Sequence, residues 1–168
     1  MNGISISLVQ LLFKGVPEGF LMTLSFHLFT NTKIELKRFS FLLSANILLP
    51  YLIRFLPISL GVNTILSLLL LIVLFQIVYR GQLTTVVRSI VTAVLVMTMI
   101  IIAETLNYFM LISLMGADKA EQVLNHSNEI IKSLYTVPST LFLAVFILLS
   151  YWAMKKFENR KVAHGKVQ

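Results

Sequence analysis

The chain has 168 residues, of which 57% are hydrophobic and 12% charged, with a formal net charge of +7 and no cysteine. Its mean hydropathy of +0.87 is that of an integral membrane protein rather than a soluble domain. The longest stretch between apolar segments, 115–137, leaves no room for a soluble catalytic domain. The missing cysteines exclude a disulfide framework, a thiolate nucleophile and a Cys-ligated metal site.

A hydrocarbon layer of about 30 Å needs about 20 apolar residues in a helix to cross it. Segments 4–30, 39–58, 61–79, 87–114 and 137–154 meet that need. All are expected to be helical, because a chain in lipid must satisfy its own backbone hydrogen bonds. The predicted fold is therefore all-α: one membrane domain over 1–168, a polytopic bundle of five transmembrane helices.

The first segment carries Lys14-Gly15-Val16-Pro17-Glu18-Gly19 in its middle. Lys14 interrupts any signal-peptide core, and no basic region precedes it, so the segment is expected to be retained. A charge at mid-bilayer costs about 2.5–3.5 kcal/mol on insertion scales, so Lys14 and Glu18 need partners. Pro17 lacks an N–H and predicts a kink or opening of the helix. Gly15 and Gly19 permit close helix approach. His27, near the inner end, reads as an interfacial histidine.

The second segment holds Asn46, Pro50 and Arg54, with Arg54 about one turn from the outer end. The fourth holds Glu104, Asn107 and Tyr108, whose spacing of three and four places them on one helix face. The fifth begins at Pro138 and ends in Tyr151 and Trp152, which suit an interfacial aromatic belt. Met22, Met97, Met99 and Met110 read as packing.

Loop charge alternates. Lys33, Lys37 and Arg38, then Arg80 and Arg88, then Lys155, Lys156, Arg160, Lys161 and Lys166 mark three basic connections. The positive-inside rule puts these in the cytoplasm, with the N-terminus outside and the C-terminus inside. The net charge thus follows topology and does not point to nucleic acid. The opposite loop is mixed in charge, and Ala120, Val123, Leu124, Ile131 and Leu134 predict an outer amphipathic segment over 117–135. Asn125-His126-Ser127 matches a glycosylation pattern but reads as a solvated loop face. Residues 155–168 are expected to form a basic cytoplasmic tail.

The charges outside the loops cancel, Lys14 and Arg54 against Glu18 and Glu104. They predict a buried polar cluster of Lys14, Pro17, Glu18, Arg54, Glu104 and Asn107 built from spans one, two and four. Such a cluster serves either as a ligand-responsive site or as a structural clamp of helix register. The sequence has no H-E-x-x-H, G-x-S-x-G or Walker loop, and no metal-ligand set, so neither enzyme activity nor a cofactor is expected.

Three blocks carry a resemblance: Gly15-Val16-Pro17-Glu18-Gly19; Ile53-Arg54-Phe55-Leu56-Pro57-Ile58 with Gly61-Val62-Asn63-Thr64; and Glu104 ahead of the Leu114-Met115-Gly116 turn. Together they resemble the N-terminal five-helix membrane sensor region of Firmicutes histidine kinases of the Spo0B/GHKL-like type, over most of 4–154. In such kinases the last span continues into a phosphoacceptor histidine and an ATP-binding domain. Here His164 has neither around it, so the expectation is a free-standing module without the kinase domain. The resemblance implies a non-catalytic, signal-sensing or regulatory subunit of a bacterial plasma membrane, multi-pass, whose partner beyond the bilayer is a kinase or regulator. The alternative is a membrane subunit of a small-solute transporter working with separate ATPases.

Overall fold

The computed structural model describes residues 11–53, 60–80, 82–126 and 128–164. A π-helical segment, Leu11–Gly15, opens the described chain. Six α-helices follow: α1 Val16–Thr30, α2 Leu36–Ile53, α3 Leu60–Tyr79, α4 Leu83–Met115, α5 Ala117–Leu124 and α6 Glu129–His164. The described residues contain no strand. The all-helical expectation holds, and in place of the expected kink a π-helical turn runs directly into α1, whose second residue is Pro17.

The chain reverses at α-helix ends with recognisable local chemistry. Asn31 leaves α1 in the left-handed region at φ 55, and both its N–H and that of Thr32 bind the His27 carbonyl. Asn tolerates this conformation because its short amide compensates locally. Gly116 ends α4 at φ +87, a conformation that L side chains rarely adopt.

α4 is the hub, packed on α1, α3, α5 and α6, and α2 closes against α1 and α3. The core joins Met22 and Phe26 of α1, Leu42 of α2, Leu71 and Phe75 of α3, Val96 and Ile100 of α4, and Leu143 and Ile147 of α6. Met22 and Met99 are buried in that core and Met97 packs on it, as expected of packing side chains. Outside it, large apolar side chains face outward along the helices, among them Leu69, Val73 and Ile77 of α3, Val91, Val94 and Ile101 of α4, and Leu141, Val145 and Leu148 of α6.

Among the described residues, two stretches are long and apolar enough to cross a membrane: Leu83–Met115 and Ile130–Phe157. Ile65–Tyr79, within the 20-residue α3, is a further apolar stretch. Parts of the expected first and second spans, 4–10 and 54–58, lie outside the described residues. α1 continues the π-helical segment and carries Pro17 as its second residue, and α2 opens with Leu36, Lys37 and Arg38 and contains Pro50.

Other boundaries move as well. Pro138 lies inside α6 rather than at its entry. The Thr136 hydroxyl donates to the Lys132 and Ser133 carbonyls and the Ser139 hydroxyl to the Thr136 carbonyl, while the carbonyl that the missing Pro138 N–H frees is that of Leu134, four residues back. The amphipathic segment 117–135 is split between α5 and the first turns of α6. The expected tail is helical as far as His164.

At one end of the bundle α1, α2 and α3 are tied through His27. Its Nδ1 lies 2.8 Å from the Thr23 carbonyl, which can only accept, so in the neutral imidazole Nδ1 carries the proton. Nε2 then accepts from the Tyr79 hydroxyl, also at 2.8 Å. Phe39, Phe75 and Tyr79 enclose the ring at 5.3–5.4 Å, and the Arg38 guanidinium sits 5.4 Å from the Tyr79 ring centre. His27 is 1% exposed, an interior linker rather than the interfacial side chain expected. Gln76 donates to Ser89 at 3.0 Å, bringing the start of α4 to the same end. Lys33, Lys37, Arg38, Arg80 and Arg88 therefore share one end of the bundle.

Candidate functional site

The opposite end holds most of the predicted cluster. Lys14, in the π-helical segment, reaches α4, where its Nζ lies 2.9 Å from Glu104 Oε1. The lysine side chain is 21% exposed and the glutamate 53%, so the pair lies on the rim of the bundle rather than in its centre. Glu18, one turn after Lys14, lines the same cleft. Pro17 opens α1 between them.

The third wall comes from α6. Ser139, Thr140 and Leu143 face Ile100, Ala103 and Glu104 of α4 across the cleft, with Lys14 and Glu18 on the α1 side. About 10 Å3 is open to the centre of a water molecule, room for about one water. The Thr140 side chain is 7% exposed and its Oγ1 has no hydrogen-bond partner. The Ser139 hydroxyl donates to the Thr136 carbonyl at 2.7 Å, so its oxygen turns lone pairs to its surroundings.

The predicted residues divide. Lys14, Glu18 and Glu104 come together, with Pro17 beside them in the first turn of α1. Asn107 does not join the cleft; it is buried between α4 and α6, and its Nδ2 donates to the Tyr135 carbonyl at 3.0 Å. It also parts from Glu104 and Tyr108, which remain exposed although spacing alone grouped all three. Arg54 lies outside the described residues.

The second span was expected to complete the cluster. Its deep polar group, Asn46, instead donates to the Gly19 carbonyl at 3.1 Å and the Thr23 hydroxyl at 3.3 Å, fastening α2 to α1. Ser139 and Thr140 escaped sequence reasoning. The signal for them is a run of hydroxyls at Ser133, Thr136, Ser139 and Thr140, near helical spacing in an apolar segment.

Chemically, the cleft offers an ammonium, two carboxylates, two hydroxyl oxygens and an apolar back wall. Among the described residues no three His, Cys, Asp or Glu side chains gather to hold a metal ion. Comparison with protein-family models, curated proteins and solved structures finds no match.

Proposed function

We propose that this protein is a non-catalytic sensing or regulatory subunit of the bacterial plasma membrane, crossing it five times with the N-terminus outside. The Lys14–Glu104 ion pair carries the reading: it joins the π-helical segment ahead of α1 to α4 on the rim of an open cleft. An ion pair at such a seam gives the bundle two packings, one with the pair closed and one with it parted. A ligand or partner that favours one packing shifts the population in proportion to its differential affinity. The apolar surfaces of α3, α4 and α6 and the common end of the basic residues support the five-span topology. The basic end of α6 would then pass the change to a cytoplasmic kinase or regulator.

The transporter reading calls for a cavity that admits a solute at membrane depth. The cleft has room for about one water, which favours sensing. Co-purification from native membranes in mild detergent, with mass spectrometry of proteins and small molecules, tests the choice. A kinase or response regulator is the expected partner. An ATPase pair with a stoichiometric solute would overturn sensing in favour of transport.

A further inference from the structure

We propose that the cleft between α1, α4 and α6 binds a small monovalent cation, which competes with the Lys14 ammonium for the Glu104 carboxylate. This names the ligand class of the site assigned above and rests on that cleft being the responsive one.

Four observations converge. The free space suits an occupant the size of one water, which matches a bare sodium ion and excludes an organic solute. Glu18 and Glu104 outnumber Lys14 along its walls, a balance that disfavours an anion. Thr140 is among the residues that line the same space, and its buried Oγ1 lacks a partner. Such a group normally has a protein or ordered partner. The Ser139 hydroxyl has its proton committed to the Thr136 carbonyl, so it offers the cleft lone pairs only, as a cation ligand does.

Oxygen donors select hard cations. Divalent ions generally take several carboxylate or carbonyl ligands, and no cluster of three acidic or histidine side chains exists among the described residues. A single-charged ion fits the smaller set. Lys14 then acts as a tethered competitor. Its flexible four-carbon stem lets the ammonium withdraw from Glu104 while the carboxylate stays in place. Ion entry thereby parts the contact that joins the start of α1 to α4, coupling occupancy to helix packing.

The test uses the full chain in detergent micelles, with its melting temperature followed as sodium chloride replaces N-methyl-glucamine chloride at constant ionic strength. A ligand that binds only the folded form raises the melting temperature in a saturable way. The wild type is expected to show this rise. Lys14→Gln, with the competitor removed, should reach half-saturation at about tenfold lower sodium, one decade being about 1.4 kcal/mol. Thr140→Val should weaken binding several-fold, and Glu104→Gln should abolish the rise. The double variant Lys14→Gln/Glu104→Gln removes both charges together, so it avoids a stranded partner and provides a folded non-binding control.

A flat response to sodium in both the wild type and Lys14→Gln overturns the proposal. So does a rise that survives in the folded double variant. Sodium binding without any co-purifying regulator supports the ion site while removing the sensor assignment. A co-purifying regulator with no sodium response leaves the sensor and removes the ion.

Discussion

At the residue scale, the protein's polar side chains divide into pairs that close a seam and pairs that fix an orientation. Lys14 and Glu104 close a seam, and their energy depends on how far water or lipid reaches the half-exposed carboxylate. Reversing either charge alone leaves like charges facing each other. Lys14→Glu and Glu104→Lys should each lower the melting temperature, and the double swap should recover part of the loss. A double-mutant cycle by thermal unfolding should return a coupling of about 1 kcal/mol, within the range for contacting residues; zero coupling would mean the two do not interact. His27 and Tyr79 fix an orientation. Tyr79→Phe leaves the buried Nε2 without its donor and should cost about 1–3 kcal/mol, the penalty for an unsatisfied buried acceptor. Denaturant unfolding in micelles would reveal it.

Elements contact each other through small residues and amides. α1 and α2 approach closely at Gly19, where an added Cβ would lie 2.9 Å from Ile47 Cγ1. Gly19→Ala should destabilise by about 1–3 kcal/mol, the usual cost of overpacking. Ile47→Ala in the same chain removes the clashing atom and should restore part of the loss; if Gly19→Ala melts like wild type, the two helices are not this close. Helix existence was legible from apolar runs, while the irregularity expected at Pro17 takes the form of a π-helical turn ahead of it rather than a break. Helix extent was not legible. Pro138 reads as a start because prolines favour first turns, yet α6 runs through it from Glu129. Nor could spacing reveal that α6, rather than α2, faces Lys14. That depends on which helices are neighbours and how each is rotated, and hydroxyls in apolar segments give a weak signal. Periodicity likewise grouped Asn107 with Glu104, while packing against the Tyr135 carbonyl turned it inward.

For the whole molecule, the distribution of charge sets the orientation expected in the bilayer. Lys33 and Arg80 sit toward the end tied by His27 and Tyr79, and Asp118 belongs to the far end after α4. The chain contains no cysteine, so introduced ones can be labelled without background. Asp118→Cys should react with a membrane-impermeant maleimide on intact cells, and Lys33→Cys only after permeabilisation. The opposite pattern would invert the topology, and labelling of both on intact cells would rule out an odd number of spans between them.

α6 gives this arrangement a mechanical property. Its 36 residues rise about 54 Å at 1.5 Å each, well beyond the roughly 30 Å of a hydrocarbon layer. The same unbroken rod supplies Thr140 to the cleft and Lys155 and Lys156 to the far end. A rigid rod conserves rotation along its length, so a twist of the cleft wall arrives at the basic end as an equal change of azimuth. One inserted alanine between Trp152 and Lys155 would turn everything beyond it by about 100°, one residue's share of a 3.6-residue turn. The basic residues would then keep their depth but present another face.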